Sequence, residues 1–513
     1  MIRALGQLDD LALDGAWWRS DGNERVEATK PPENPSASMG FDEGLRFLAK
    51  DVDPLLGRDA KHTCYGTLHY KPTGALRLKL LGASDRVFDN DAGRYVVHGF
   101  DAKGESCTVL DCFSGPSTFN TKRGFSIVEV VGHMLVRGAH ITSLTELRFR
   151  RAELRITGLR EFLTRELPTS AGELGLGVTG AEPVGDRVVE LPEATLTLTI
   201  TQTKKPGQQK LVYERKARVR VELNRPASYT HWHDRWAQPL VDLLRFATRE
   251  AAGIESFVAV FRDGEGDGED GEGWPTGLER RDVELIRPQS ALLYDSPHHG
   301  HRRMLLSAGA LGGDLDAVLS RWWTLSAKLG RVASLLFSVL QSRGYADAQL
   351  VTLSSVAEAY HRVLGGPPPL TDARHAALVR GMLAIPQTDE ERRVYQGALR
   401  FANGYSQRER IQRLISRAGR VVPEFGRKGG RLADRIVDTR NDLVHLSSEG
   451  ERPLQGSKLV EASALLVLAL QANLLLDLGI GTEHARTLIS ESYGQQTTWQ
   501  RLRRRGHAWP KGA

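Results

Sequence analysis

The six residues RNDLVH, at positions 440–445, carry the side chains best suited to chemistry in this sequence. His445 can accept or donate a proton near neutral pH, because the ordinary pKa of histidine is about 6.5. Arg440 is a permanent cation whose guanidinium can bind a phosphate through two parallel hydrogen bonds. On a helix, Asn441 and His445 share a face, whereas Arg440 lies about 140° around the axis from His445. Arg440 must therefore curl toward His445, or be supplied from elsewhere, if both are to act on one substrate.

Cleavage of RNA by its own 2′-hydroxyl group is a reaction that this residue set could catalyse when two copies combine. The reaction needs a general base, a general acid and a cation beside the phosphorus in the transition state. One chain supplies one histidine and one arginine. A symmetric dimer would bring the same patch of each chain together and so supply two of each. Such a site requires no metal ion.

A purely structural role for the same residues is the alternative. An Arg–Asx–Asp–His cluster at a helix edge is typical of ion pairs, for instance between Asp442 and His445. The chain would then be a catalytically silent RNA-binding or scaffold protein. The same stretch predicts a buried stripe on the helix at Ile436, Val437, Leu443 and Val444.

Arginines are concentrated just before the motif. Residues 408–435 carry nine Arg or Lys against three Asp or Glu, which equals the net charge of +6 of the whole chain. Such a run is either a solvated surface or a face that holds RNA phosphates by a salt-sensitive, sequence-independent attraction. The tail RLRRRG, at 501–506, adds to the same positive charge. The candidate RNA-binding residues are Arg410, Arg413, Arg417 and Arg420, next to Arg408.

A metal hydrolase is a third hypothesis, based on the segment HWHD. Its candidate ligands would be His231, His233 and Asp234. Two histidines that are two positions apart on a helix point about 200° apart, so they could share a metal ion only in an extended segment. Trp232 and Trp236 are expected to be packing residues.

Cofactor binding is not expected. The segment HHGHRR, at 298–303, has no nearby carboxylate partner and is expected to be a surface loop. The sequence contains no GxxxxGK[ST], and no GxGxxG lies between a strand and a helix. These are the glycine patterns that hold ATP and dinucleotides. We therefore predict no ATP, no dinucleotide and no metal for the leading hypothesis.

The composition predicts a cytoplasmic protein without membrane association. The N-terminal segment MIRALGQLDDLALDG has two Asp where a signal peptide would need an apolar stretch. The most apolar segment, 459–480, is interrupted by polar residues and is expected to be a buried core helix rather than a membrane span. The three cysteines lack CxxC spacing and are expected to be reduced; they are Cys64, Cys107 and Cys112.

Two kinds of periodicity divide the chain. Between residues 62 and 225, alternation of apolar and polar residues predicts antiparallel strands, with a hairpin at YVVHGFDAKGESCTVLDC. The period changes to that of a helix over 232–253, and from about residue 310 the chain is helical throughout. We expect an α+β protein with a β-rich N-terminal domain, antiparallel sheets with a helix, over 1–305. An all-α helical bundle is expected over 306–513.

The motif also resembles a known family. RNDLVH matches the R-polar-x3-H signature of HEPN domains, and its place between RERIQRLISRAG and LVEASALLVLALQANLLLDLGI looks like the Apea-like HEPN subgroup. The segments GAWWRS, YGTLHYKPTGALRLKLLG, VVHGFDAKGESCTVLDC and QPLVDLLRFATREAAG resemble the N-terminal domain of ApeA-type anti-phage proteins. Together the resemblance covers nearly the entire chain. The glycine-rich acidic stretch DGEGDGEDGEGWPTG departs from the family pattern and is expected to be a mobile loop.

The resemblance implies a metal-independent endoribonuclease that is dimeric through its HEPN domains and acts in abortive defence against phage. It would leave 2′,3′-cyclic phosphate and 5′-hydroxyl ends. Carried over to this chain, Arg440 and His445 would be catalytic, and Asn441 would position them or the scissile phosphate. The β-rich domain would sense a phage-derived trigger or restrain the nuclease until infection.

Overall fold

The computed structural model divides the chain into two compact units. The N-terminal unit comprises Met1–Leu244 and Glu250–His298, and the helical unit comprises Arg245–Arg249 and His299–Ala513. The structure describes residues 11–20, 64–70, 76–81, 94–120, 125–163, 187–206, 211–260, 282–287, 304–341, 345–385, 388–399, 402–445, 453–492 and 500. The acidic stretch at 263–277, the HHGHRR segment and the RLRRRG tail lie outside these residues.

The N-terminal unit is built from thirteen described strands. They are β1 Leu11–Ser20, β2 Cys64–Tyr70, β3 Leu76–Leu81, β4 Tyr95–Asp101, β5 Ser106–Asn120, β6 Phe125–Gly132, β7 Met134–Arg137, β8 Arg148–Ile156, β9 Arg187–Glu190, β10 Ala194–Pro206, β11 Leu211–Ser228, β12 Ile254–Val260 and β13 Val283–Ile286. Short helices α1 Leu159–Leu163 and α2 Tyr229–Trp232 follow β8 and β11, and a π-helical turn His233–Ala237 leads into α3 Gln238–Thr248.

All described strands pair antiparallel in one sheet, and part of the sheet closes on itself. The strand order is β4-β1-β2-β3-β6-β5-β7-β13-β12-β8-β11-β10-β9, and β4 also pairs with β5. The additional pairing closes six strands into a ring, from which the remaining strands continue as an open sheet. The predicted hairpin is present as β4 and β5, with Phe100 opposite Ser106. The α+β fold class is confirmed.

The interior of the ring explains the alternation seen in the sequence. Every second residue of β3 is buried, so that Leu76, Leu78 and Leu80 point inward while the charged side chains between them stay exposed. The same core contains Trp17 and all three cysteines, which are free thiols. Burial raises the pKa of the Cys64 thiol to about 11, which keeps it protonated and unreactive.

Two histidines are buried next to each other at one side of the ring. The rings of His98 and His140 are 5.2 Å apart between centroids, and Trp18 packs edge-on against His140. His98 Nδ1 shares a hydrogen bond with the Thr108 hydroxyl, and His140 Nε2 with the carbonyl of Gly99. Burial, together with the neighbouring His140, lowers the pKa of His98 to about 3, and burial lowers the pKa of His140 to about 4. Both imidazoles are therefore neutral in the folded protein.

We expect this histidine pair to make the N-terminal unit sensitive to acid. The folded pKa values lie below the unfolded value of about 6.5, so the unfolded chain binds more protons between pH 6.5 and 4. Each histidine should then remove about 1.4 kcal/mol of stability per pH unit as the pH falls through this window. Hydrogen exchange of the β4–β5 hairpin at pH 7 and pH 5 measures the loss. His98→Gln combined with His140→Gln should flatten the pH dependence, and the exposed His231→Gln should not; equal slopes in all three proteins would refute this account.

The helical unit contains ten described helices. They are α4 Ala308–Leu311, α5 Leu315–Leu329, α6 Arg331–Gln341, α7 Ala346–Leu364, α8 Asp372–Leu383, α9 Asp389–Leu399, α10 Gln407–Ala418, α11 Glu424–His445, α12 Gly456–Asp477 and α13 Thr482–Glu491. Within the helical region expected from about residue 310, the first long helical stretch is divided between α5 and α6 at Gly330. That glycine has φ +51°, which residues with a side chain rarely adopt.

The apolar helix α12 lies at the centre of this unit. By length and composition it is the one described helix that could cross a membrane, yet 72% of its most apolar window is buried inside the protein. Thirteen of its residues are buried, including the polar Gln471 and Asn473. The Asn473 amide donates to the carbonyls of Leu414 and Ala469, at 2.8 Å in each case. The prediction of a buried core helix at 459–480 is confirmed.

Candidate active site

Helix α11 carries the motif RNDLVH on its last turn. Its buried stripe is formed by Leu432, Ala433, Ile436 and Val437. The expected extension of this stripe to Val444 is wrong, because Val444 is 43% exposed. The buried Thr439 hydroxyl accepts the backbone N–H of Leu454 at 3.0 Å, just before α12 begins. The segment just before α12 therefore contacts α11 at Thr439, whereas Val444 near the end of α11 is left exposed.

A bidentate ion pair holds α11 against α10. Arg408 donates to Asp434 at 2.6 Å and to Asp438 at 2.7 Å. The hydrogen bond that Arg408 donates to Asp434 raises the pKa of Arg408, and the bond to Asp438 adds to the effect. The carboxylates of Asp434 and Asp438 on α11 are thus both paired with Arg408 of the neighbouring helix. They are spaced four apart, on one face, one turn before the motif.

Among the described residues, Arg440 has no comparable partner. Its Nη1 donates to the side-chain oxygen of Asn441 at 3.0 Å. Its Nε is buried without a hydrogen-bond partner, and within the described part of the chain it forms no ion pair with a carboxylate. The guanidinium is half-buried near the C-terminal end of α11, where the helix dipole favours a cation. Within the described part of the chain, its charge is therefore not neutralised by a carboxylate.

His445 is the last residue of α11, and its side chain lies outside the described residues. The structure thus brings Arg440 and Asn441 together and places His445 on the same helix, one turn after Asn441. An Asp442–His445 ion pair is not among the described contacts. The catalytic roles of Arg440, Asn441 and His445 remain predictions.

The four candidate RNA-binding arginines lie on α10 and just after it, in different surroundings. Arg410 donates from Nε to the carbonyl of Tyr405 at 2.8 Å, and Arg413 stacks on the ring of the same tyrosine at 3.9 Å. Arg417 forms an ion pair with Asp477 at 2.6 Å. Arg420 is exposed. RNA binding at these positions remains a prediction, and Arg417 contributes less to it because its charge is neutralised.

The HWHD segment does not form a described metal site. His231 lies within α2 and His233 begins the π-helical turn. The His233 ring contacts its neighbour Asp234 at 2.9 Å. Within the described ranges, no three His, Cys, Asp or Glu side chains are placed to hold a metal ion. Trp232 and Trp236 are fully buried, and Trp232 donates to the carbonyl of Phe149 at 2.9 Å. Their expected packing role is confirmed.

Sequence reasoning missed a cluster of polar residues at the ends of α7 and α12. The Tyr360 hydroxyl donates to Asp477, the carboxylate that also binds Arg417. Burial raises the pKa of Tyr360 well above its ordinary value, and the Asp477 charge raises it further. His361 follows Tyr360 in the sequence and is almost fully buried. In the sequence, the one feature that pointed to this cluster was an acidic residue, Asp477, at the end of an otherwise apolar helix.

Comparison with family models decides which proteins the chain is related to. The model of ApeA N-terminal domain 1 matches residues 55–322, more than half of the chain, and the model of Apea-like HEPN matches residues 351–484. The chain belongs to the ApeA-type HEPN proteins. No curated protein and no solved structure is significantly similar to it.

The ApeA-type assignment agrees with both units of the structure. The N-terminal match covers β2 to β13 and extends into α5, whereas the HEPN match runs from α7 into α13. The HEPN match therefore contains Arg440, Asn441 and His445. ApeA-type proteins are anti-phage proteins, and HEPN domains are generally nucleases.

Proposed function

We propose that this protein is a metal-independent endoribonuclease that acts in anti-phage defence by abortive infection. One observation carries the proposal. Arg440, within the HEPN match, is a half-buried guanidinium without a carboxylate partner among the described residues, although Asp434 and Asp438 are paired one turn earlier. A structural ion-pair role predicts such a partner for Arg440. A phosphate-binding role leaves the cation free for the substrate.

The reaction follows from the chemistry of these side chains. A histidine takes the proton of the ribose 2′-hydroxyl, whose oxygen attacks the neighbouring phosphorus. The bond from phosphorus to the 5′-oxygen breaks, and that oxygen takes a proton from a second, protonated histidine. Arg440 stabilises the negative charge that accumulates on the phosphate oxygens, and Asn441 orients Arg440 through their hydrogen bond. The products carry 2′,3′-cyclic phosphate and 5′-hydroxyl ends.

A second copy of the chain is the proposed partner in this reaction, because one chain supplies one His445. An isologous dimer of the helical units would provide both the base and the acid. Helices α8 and α9 offer apolar surface for such a contact. Neither has a buried residue, and Ile385 and Val394 are each 66% exposed. Sedimentation velocity of the purified protein measures the association.

Restraint until infection is the proposed role of the β-rich N-terminal unit. A ribonuclease that is always active in the cytoplasm would kill its own host. We propose that a phage-derived trigger relieves the restraint. Growth of cells that express wild type or His445→Ala, with and without phage, tests this proposal. Toxicity that depends on both His445 and infection supports it, whereas constitutive toxicity contradicts it.

We expect purified wild type, or wild type supplied with lysate of infected cells, to cleave RNA in excess EDTA. The mechanism has no metal-dependent step, so EDTA should leave the rate unchanged. Analysis of the product ends should find cyclic phosphate and 5′-hydroxyl groups, which His445→Ala should not produce. Cleavage that EDTA abolishes would redirect the search to His231, His233 and Asp234. RNA binding without cleavage in either preparation would favour the catalytically silent protein.

A further inference from the structure

A pocket of about 720 Å³ lies within the helical unit, between the end of α7, one face of α10 and the end of α12. Its volume falls in the range of small-molecule sites in proteins, which is roughly 300–1,000 Å³. The α10 residues that line it are Glu409, Gln412, Arg413, Leu414, Ser416 and Arg417. Arg408, which binds α11, is not among them. No residue of α11 lines the pocket, so it is separate from the motif RNDLVH and takes no part in the proposed bond-breaking steps, although its Arg413 and Arg417 are also candidate RNA-binding residues.

Among the described lining residues, Arg413 is the arginine without an ion-pair partner, although the charge of Glu409, one turn earlier on α10, interacts with it. Arg417 is paired with Asp477, and the Glu409 carboxylate accepts hydrogen bonds from Ser406 in the capping box of α10. Arg413 instead lies flat on the ring of Tyr405, with 3.9 Å from its guanidinium carbon to the ring centroid. No carboxylate pairs with Arg413 in the described part of the unit. Stacking fixes the plane of this cation and leaves its N–H groups for a ligand.

The pocket is also lined by a histidine, His361, with unused hydrogen-bonding capacity. His361 is 5% exposed, and its Nδ1 has no hydrogen-bond partner. Buried polar atoms of this kind are rare, because leaving one without a hydrogen bond lowers the stability of the fold. The ring packs edge-on against Tyr405 and so closely on Gly365 that a Cβ there would lie 2.4 Å from it. A glycine at 365 is required for this placement of the imidazole.

The surroundings of His361 are positive as well as buried. Burial lowers the pKa of His361, and the charges of Arg410 and Arg413 lower it further. Three guanidiniums line the pocket or lie near it, those of Arg410, Arg413 and Arg417. They outnumber the two carboxylates there, which belong to Glu409 and Asp477. An anion in the pocket would offset the excess positive charge.

We propose that this pocket binds a small organic phosphate of mononucleotide size. Its phosphate binds the guanidinium of Arg413, which suits phosphate geometry through paired N–H groups. Its organic part fills the remaining volume against His361, Leu364 and the backbone of Gly366. A lone inorganic phosphate would leave most of the pocket empty. The inference does not depend on the nuclease activity.

The test is calorimetric titration of the full-length protein with the four nucleoside 5′-monophosphates, inorganic phosphate, adenosine and a 2′-O-methyl RNA oligonucleotide. At least one monophosphate should bind with a Kd below about 1 mM and more tightly than adenosine or inorganic phosphate. Arg413→Gln should weaken that binding about 10- to 100-fold, since one charge-assisted contact is lost. Ser416→Trp, at an exposed lining position, should block the pocket.

The matched control is Arg431→Gln, which removes an exposed arginine of α11, outside the lining residues. It should bind the monophosphate as wild type does. The proposal is overturned if no monophosphate binds, if Arg413→Gln binds as tightly as Arg431→Gln, or if inorganic phosphate binds equally well. Binding of the RNA oligonucleotide without any mononucleotide would also overturn it and would assign Arg413 to an RNA surface.

Discussion

Arg440→Gln is expected to lower the rate of metal-free RNA cleavage by about 10²–10³-fold, the usual loss when one group that stabilises transition-state charge is removed. Glutamine keeps a hydrogen-bond donor but removes the positive charge. No described carboxylate depends on Arg440 for its partner. The free energy of unfolding should therefore change by no more than about 0.5 kcal/mol, as for a neutral surface substitution, and the melting temperature should change little. Single-turnover cleavage and thermal unfolding, measured on the same preparation, separate the two effects.

His445→Ala should reduce the same rate by about 10²–10⁴-fold, as expected for loss of a general acid or base. Arg431→Gln is the matched control, since Arg431 is an exposed arginine earlier on α11. It should cleave as wild type does. If Arg440→Gln and His445→Ala instead lower the melting temperature by several degrees, the structural interpretation of the motif gains support. A rate equal to that of Arg431→Gln would exclude Arg440 from catalysis.

Arg137→Met is expected to destabilise the N-terminal unit by about 3–5 kcal/mol, the usual loss when one partner of a buried ion pair is removed. The Arg137 side chain is 9% exposed and donates to Asp101 at 3.0 Å, and it also pairs with Glu105. Glu284 lies nearby with one carboxylate oxygen lacking a hydrogen bond, and burial raises its pKa. Methionine preserves the apolar part of the side chain and leaves these carboxylates without their cation.

Hydrogen exchange of the β4–β5 hairpin reports this loss for the N-terminal unit alone. Arg77→Met is the control, because it breaks an ion pair with Glu129 in which the arginine is 58% exposed. Exposed pairs contribute about 0–1 kcal/mol, so the control should change little. Equal protection in the two variants would contradict the assignment of Arg137 as a buried structural cation.

Local patterns in the sequence were sufficient to predict the element types. Alternation predicted β3 and the β4–β5 hairpin, because each second residue meets the same core. Helical spacing predicted α11, and a long apolar stretch predicted that α12 is buried. The predicted buried stripe on α11 was wrong at Val444, which is exposed. Periodicity indicates which face of a helix is apolar but does not show how far neighbouring parts of the chain cover that face.

Contacts between distant residues could not be predicted in this way. The Arg417–Asp477 ion pair joins residues 60 positions apart, and the Arg408 contacts with Asp434 and Asp438 depend on how α10 packs on α11. The basic run therefore looked like one continuous surface, although two of its arginines serve internal pairs. Arg440 is recognisable from the family signature, but its lack of a described carboxylate partner is visible only in the fold.

Closure of the ring by β4 and β5 has a consequence for solubility over long periods. A strand at the edge of a sheet can recruit another chain, and a closed ring has no such edge. Among the described strands, the free end of the sheet is β9, which has four residues and is bounded by Arg187 and Glu190. Short, charged edges resist intermolecular pairing. The closed ring and the short, charged edge should therefore lower the tendency of the folded N-terminal unit to aggregate during long storage.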